Sequence, residues 1–341
     1  MTRITTRKAL LAAALLGGVA VIAGLMWLQH SLSPVDPDAA HARPIAFEVR
    51  PGDSLGRVAI ALEAKGLIRN ARVARWFAKI EVLSSRLKIG EYELSAAQST
   101  REILETLTKG RVRTHSVVIP EGQRASEIAD RLVAAGLADR EAFLEVVFDP
   151  ELPTRLGVEG SSLEGYLFPD TYRFARGLAP ERIAATMVEE FLRVYRELGP
   201  ATGERLLSMH ELVTLASIVE KETGVARERP LIAAVFLNRL ARGMRLETDP
   251  TVIYGIEDFD GNLRRVHLRD DSNPYNTYRI RGLPPGPIAS PGREAMRAVR
   301  EPADTAYLYF VSRNDGTHAF SKTYAEHESA VNRFQRRRGR R

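Results

Sequence analysis

Twenty consecutive residues, 9–28, carry no charge, and this run constrains the chain more than any other feature. As a helix it is long enough to cross the ~30 Å hydrocarbon core of a bilayer. Arg3, Arg7 and Lys8 precede it, and no acidic residue occurs before Asp36. Cations on the N-terminal flank keep that flank in the cytoplasm, so residues 1–8 are expected inside and everything beyond about residue 30 outside. Trp27 sits where an interfacial aromatic belongs. The competing reading is a cleaved signal peptide, because Ala40-His41-Ala42 has the small-x-small pattern of a cleavage site. That pattern lies far beyond Leu28, across Pro34 and Pro37, and the apolar run is longer than a typical signal core. A retained transmembrane helix over 9–28 is therefore expected, followed by a Pro-, Ala-, Ser- and Asp-rich linker over 29–44.

At 341 residues the chain has room for two or three domains. It contains no cysteine, which excludes disulfides, thiolate metal sites, a cysteine nucleophile and a lipidated cysteine. The seven histidines show neither His-x3-His nor HExxH spacing, and no Gly-rich phosphate loop occurs, so neither metal nor cofactor is expected. The net charge of +6 gathers at the C-terminus, in Arg336, Arg337, Arg338, Arg340 and Arg341. Residues 331–341 read as a solvated basic tail, with attraction to anionic lipid or polymer as the alternative. No nucleic-acid-binding module accompanies the charge, so no nucleic-acid partner is expected.

Two stretches repeat at an offset of about 70 residues, the self-similarity that signals duplication. Val58, Ala59, Leu62, Ala64, Gly66 and Leu67 match Ile128, Ala129, Leu132, Ala134, Gly136 and Leu137. Each copy opens with an alternating strand, over 46–50 or 116–120, and turns into an amphipathic helix that Gly66 or Gly136 ends. The first copy continues with a strand over 91–94 and a helix from Ser99, where Glu102 completes a capping box. A strand over 171–174 and a helix after Pro180 are the counterparts in the second copy. Small α+β units are expected, and duplication by itself says nothing about a ligand.

Beyond residue 200 the texture changes. Residues 212–224 read as a nearly all-apolar helix carrying Glu220 close to its end. A carboxyl group held among Val, Ile and Ala loses hydration, which disfavours its charged form, and such a group suits donation of a proton to a leaving oxygen. The plainer reading is a helix-end glutamate that reaches water or pairs with Lys221 or Arg227. The helical wheel does not choose between Glu220 and Glu222; Glu222, nearer Gly224, is expected to be the wetter. Pro230 opens a second apolar helix that carries Asn238 and ends at Gly243. A buried amide there needs partners, either across helices or in a substrate. Glu247, Thr248 and Asp249 form a polar turn, and Asp249 reads as the cap of a helix begun at Thr251. Tyr254, Tyr275, Asn276, Thr277 and Tyr278 supply the aromatic faces and donors of a sugar-binding groove, or of ordinary turns. Residues 282–288, around Pro285, are too rich in proline for a helix or central strand and read as a rigid wall.

The strings SIVEKET at 217–223, FLNRL at 236–240, TDPTVIYG at 248–255, YNTY at 275–278 and GLPPGPI at 282–288 occur in that order. EGYLFPDTY at 164–172 precedes them and YLYFV at 307–311 follows. Together they closely resemble the endolytic murein transglycosylases, the YceG-like family, over about residues 45–330. The fold implied is α+β: a transmembrane helix, LysM-like α+β repeat units, then a mixed α/β YceG-like catalytic domain. The boundaries that follow are 45–112 for the LysM-like domain and 113–330 for the catalytic domain, with the second repeat inside 113–195.

The activity implied is that of a lytic transglycosylase, a carbon-oxygen lyase. It cuts MurNAc–GlcNAc bonds of nascent peptidoglycan strands, leaves a 1,6-anhydroMurNAc end and terminates glycan elongation. The resemblance assigns the catalytic acid to Glu220. Asn238, Glu247, Thr248, Asp249, Tyr254, Asn276 and Pro285 are expected to position the substrate. Some relatives carry Gln at the position of Glu247, which leaves its role open between sugar contact and catalytic assistance. The partners implied are glycan strands, the inner membrane, and synthase, division or elongation proteins. A non-catalytic membrane-anchored peptidoglycan scaffold and a hydrolase of the same strand are the alternatives.

The charge bias around residues 9–28 makes a topology prediction. A reporter fused after Arg341 is expected to be active only outside the cytoplasm, with the N-terminus uncleaved. A soluble protein beginning near Arg43 would restore the signal-peptide reading.

Overall fold

The fold is described from a computed structural model covering residues 2–38, 44–50, 52–81, 87–199 and 207–336. The first helix, α1 (Thr2–Leu32), spans 31 residues. Its described apolar side chains, including Leu16, Val19, Ile22, Leu25 and Trp27, lie exposed. It is therefore no core helix, and its length and composition suffice to cross a membrane. The helix runs through residues 29–32, which the sequence assigned to a linker. The next residues are also tied down: Arg69 donates to the carbonyls of Pro34 (2.7 and 3.1 Å) and Val35 (2.9 Å). The amide of Asp36 donates to Ala96 at 3.1 Å. A guanidinium fork satisfies carbonyls that a proline-rich strand cannot pair for itself, so the start of the linker is fixed. The small-x-small pattern at Ala40–Ala42 lies outside the described residues.

The chain divides into two compact units, Met1–His115 with Ala175–Gly177, and Ser116–Phe174 with Leu178–Arg341. After α1 the first unit contains β1 (Ile45–Val49), α2 (Leu55–Ala64), α3 (Ala71–Ile80), β2 (Gly90–Leu94) and α4 (Thr100–Lys109). β1 and β2 pair antiparallel, with Phe47 opposite Tyr92. Strand alternation turns Phe47, Val49, Tyr92 and Leu94 inward onto Leu62, Ile103 and Leu107. Ser99 and Glu102 form the expected capping box of α4.

β3 (Thr114–Val118) leads into the second unit, followed by α5 (Ala125–Ala134), α6 (Arg140–Val147), α7 (Leu152–Leu156), β4 (Thr171–Ala175) and α8 (Pro180–Glu197). β3 pairs with β4. The order strand, helix, helix, strand, helix thus occurs twice, with α7 interposed in the second instance. Gly66 and Gly136 follow α2 and α5 at φ 67° and 66°, the left-handed conformation that ends a helix cheaply only at glycine. β3 begins two residues before the expected strand, within the ordinary uncertainty of an element end.

The remaining elements are α9 (Met209–Glu222), α10 (Arg229–Ala241), α11 (Asp249–Tyr254), α12 (Arg265–Leu268), α13 (Arg293–Arg300), the antiparallel pair β5 (Tyr309–Ser312) and β6 (His318–Ser321), and α14 (Tyr324–Val331). Of the basic tail, Arg336 closes a short π-helical turn, and Arg337, Arg338, Arg340 and Arg341 lie outside the described residues.

α9 organises this unit. Ser208 and Glu211 cap its start, and every residue from Leu212 to Val219 is buried against α10 and α13. Each large apolar side chain sequestered in this way contributes ~1.5–3 kcal/mol. Of the two hydroxyls in the stretch, that of Thr214 has no hydrogen-bond partner, whereas Ser217 Oγ is used twice: it donates to the Thr214 carbonyl at 2.7 Å and accepts from the Ile288 amide at 3.0 Å. That second bond fixes the proline-rich segment 282–288, which is neither helix nor strand. Gly165, at φ 84°, receives Pro287 from the same segment, and a Cβ there would lie 2.3 Å from the proline. The protein is a mixed α+β fold with one N-terminal apolar helix.

Candidate active site

α9 is apolar until its last turn, where Glu220 and Glu222 stand two positions apart, ~200° around the helix. They face different surroundings. Glu220 has a side chain only 7% exposed. Its Oε1 accepts from Arg229 Nη2 at 3.1 Å, and its Oε2 accepts from the Gly292 amide at 3.1 Å. Arg229 opens α10, and Gly292 is the N-cap of α13. The sequence placed Glu220 among apolar side chains, with Lys221 or Arg227 as the alternative ion partners. The structure surrounds its carboxylate with two donors instead, because the turn after α9 brings Arg229 back over the helix end. Lys221 bonds the Gly122 carbonyl at 3.2 Å.

Glu222 is enclosed as well, contrary to the expectation that it would be the wetter of the two. The segment leading into α11 folds over the end of α9, and the Thr248 hydroxyl donates to Glu222 Oε1. Burial, reinforced by the charge of Asp249, pushes the Glu222 carboxyl up to about 6, against the Thr248 bond, His318 and Arg239. Glu222 lines a cavity of about 420 Å³ together with Arg239, Leu246, Glu247, Thr248, Asp249, Tyr278, Phe310, Val311 and His327. Small-molecule sites are typically ~300–1,000 Å³.

Three of the residues singled out for substrate positioning meet in that cavity. Glu247 is exposed and pairs with Arg239 at 3.4 Å. Its φ of 51° is rare for a residue with a side chain and costs of order 1–3 kcal/mol. Thr248 is buried. Asp249 accepts from the Tyr278 hydroxyl at 2.7 Å. It is the first residue of α11 and Thr248 is the N-cap, so the expected capping role of Asp249 is not what the structure shows; the helix starts two residues before Thr251, with Pro250 in its first turn.

The other four lie elsewhere. Asn238 Nδ2 donates to the carbonyls of Thr305 (2.8 Å) and Tyr307 (3.0 Å), a structural role, but with an irregular segment and not across helices as the sequence suggested. Asn276 is fully buried. Its amide donates to the carbonyls of His267 and Asp270, and its oxygen accepts from the Tyr278 amide. It braces a loop from within. The Tyr254 hydroxyl donates to Glu164 at 3.2 Å, and its ring stands 4.6 Å from that of Tyr275. The Pro285 carbonyl is 2.8 Å from His210 Nε2. None of these four bonds Glu220, whose partners are Arg229 and Gly292.

The profile of the YceG-like family matches residues 47–333. The chain belongs to the YceG-like family. It is 29% identical over 319 residues to an endolytic murein transglycosylase of Bacillus subtilis, covering 89% of this chain and 88% of that relative. It is 29% identical over 340 residues to an endolytic murein transglycosylase of Streptococcus pneumoniae, covering 90% of this chain and 61% of the longer relative. A YceG-like protein of Listeria monocytogenes, known from a 2.6 Å crystal structure, is 35% identical with a TM-score of 0.56, covering 84% of this chain and 98% of that one.

Within this YceG-like site, several polar residues escaped the sequence reading. Arg229 and Arg239 sat inside helices without a visible partner, and Gly292 and Glu121 lie far from Glu220 in sequence. Glu164 was visible only as the first letter of EGYLFPDTY. It is buried at the N-terminus of α5, where the Ala125 amide donates to it at 3.0 Å beside the Tyr254 hydroxyl. Burial pushes its carboxyl up to about 7, against those two bonds and Arg124.

A carboxyl raised in the folded state binds its proton more tightly there than in the unfolded chain. The stabilisation is complete below the unfolded value of about 4.5 and is lost as pH rises through about 7. Glu164→Gln is expected to remove roughly 3 kcal/mol of that decline, measured by urea unfolding at pH 5 and pH 8. An unchanged difference between the two pH values would show that Glu164 does not titrate in this range.

Proposed function

We propose that this protein is a peptidoglycan lytic transglycosylase, with Glu220 as its catalytic acid. The observation that carries the reading is the Glu220 carboxylate, nearly buried and held by two donors at the end of the central helix. It stands in a chain whose named relatives are endolytic murein transglycosylases. A purely wall-binding scaffold does not require a carboxylate immobilised in this way.

No protein nucleophile and no activated water are needed, because the substrate supplies the nucleophile. A glycosidase that adds water employs two carboxyl groups around the scissile bond. In a lytic cleavage the C6 hydroxyl of the MurNAc ring attacks its own C1. Holding that hydroxyl against C1 replaces an external nucleophile by effective concentration, which can reach ~10⁵–10⁸ M in well-oriented systems. Glu220 protonates the departing oxygen. Arg229 and the Gly292 amide fix the direction in which the carboxyl points. The Glu247–Thr248–Asp249 cavity, with Arg239 and Tyr278, holds sugar hydroxyls, and Glu247 contributes a hydrogen-bond acceptor there. Tyr254 and Pro285 shape the surface near the proline-rich segment, whereas Asn238 and Asn276 brace loops.

The element order of the first unit and the sequence repeat support reading 45–112 as a LysM-like unit that contacts glycan, and 113–330 as the catalytic domain with the second copy inside 113–195. α1 and the flanking charges support a single-pass inner-membrane protein with a periplasmic catalytic domain, cutting nascent strands internally near their site of synthesis.

Glu222 sustains a second reading, since it lines a cavity and its carboxyl is raised to about 6. As the acid it would lose activity as pH rises through that value. Glu220→Gln is expected to lower turnover by at least ~10²–10⁴, the usual weight of general acid catalysis, while leaving fold and glycan binding intact. Glu222→Gln should retain most activity. The reverse pattern transfers the acid role to Glu222.

A further inference from the structure

Glu220 does not meet Arg229 alone. The same guanidinium nitrogen, Nη2, lies 3.7 Å from Glu121 Oε2. Glu121 belongs to the turn between β3 and α5, and that turn is anchored at the two residues that follow it. The Gly122 amide donates to the Ser290 carbonyl at 2.9 Å, and the Ser290 amide donates to Gln123 at 2.8 Å. Its carboxylate fills the space above Gly292, where a Cβ would lie 1.9 Å from Oε1. Only a glycine lets this carboxylate lie against the N-cap whose amide holds Glu220. The Glu121 side chain is 46% exposed, so a substrate can reach it beside the nearly buried Glu220.

We propose that Glu121 is a second catalytic carboxylate, the base that takes the proton of the attacking C6 hydroxyl. This rests on the reading of Glu220 as the acid. In the step proposed, the bond from C1 of MurNAc to O4 of GlcNAc breaks first, leaving C1 oxocarbenium-like, and O6 then bonds to C1 on the face that O4 has left. Glu220 gives its proton to O4, and Glu121 receives the proton of O6. The products are the anhydro ring and a free 4-hydroxyl. No water is consumed and no net proton is exchanged. Transfer of one proton from Glu121 back to Glu220 resets the site.

The environment fits a group that exchanges protons. Burial, the charge of Glu220 and that of Glu294 on α13 raise the Glu121 carboxyl from its ordinary value, against Arg229. Lys221 of α9 approaches the same turn through the Gly122 carbonyl.

The test uses the full-length protein on the natural glycan strand and on a strand ending in a nitrophenyl leaving group, which departs without an acid. Glu121→Gln keeps the shape and the contact to Arg229 but accepts no proton. It is expected to be slower by about 10²-fold or more on both substrates and to lose the acidic limb of the kcat profile. Glu121→Ala is expected to be accelerated by added formate. Gly292→Ala, which displaces a flexible side-chain end rather than backbone, should reproduce the loss. Glu220→Gln is expected to fail on the natural strand and to recover on the nitrophenyl substrate.

Glu121→Gln with wild-type rates and an unchanged pH profile would overturn the proposal. So would loss in Glu121→Ala with normal activity in Glu121→Gln, the signature of a positioning residue. Undiminished turnover of the natural strand by Glu220→Gln would instead overturn the acid assignment, and the Glu121 variants would still report their own effect.

Discussion

Arg229 holds the end of α9 together. A helix C-terminus carries partial negative charge, and a glutamate in its last turn adds to it. α9 places both Glu220 and Glu222 there. For Glu220 the conflict is resolved by a guanidinium from the next helix and by the N-cap amide of α13, whose own partial charge is positive. The arrangement requires three helices to converge at one point, and the buried stretch of α9 from Leu212 to Val219 fixes that convergence. The same helix carries Ser217, whose bond to the Ile288 amide sets the proline-rich wall. Site and core therefore depend on one helix.

The apolar periodicity of the sequence made α9, α10 and the twice-used strand–helix order legible, because burial dictates residue type directly. The ordered strings from SIVEKET to GLPPGPI made the family legible. The partners of the charged groups were not legible. Arg229 is nine positions beyond Glu220 and Gly292 is seventy-two beyond it; only the turn after α9 and the packing of α13 bring them to it. Glu222 was misjudged for a related reason. Its nearness to Gly224 suggested water, but the chain returns over the helix end and Thr248 covers it.

Residue type also misled in the irregular segments. Asn276 and Asn238 have the amides a sugar site would use, yet both are consumed by backbone carbonyls of loops that have no ladder of their own. Backbone groups in a buried loop must be paired, and an amide is a compact way to do it. Glu247 is the converse case. Its side chain stays exposed at a cavity while its backbone holds a left-handed conformation, a feature that no pattern of residue types announces.

The central claim is chemical: the strand is cut by its own hydroxyl and not by water. Mass spectrometry of the ends made from isolated, uncrosslinked glycan tests it most directly. The account predicts new MurNAc ends lighter by one water than a reducing end. Ends of full reducing mass would make the protein a hydrolase, and the absence of new ends would leave only a wall-binding role.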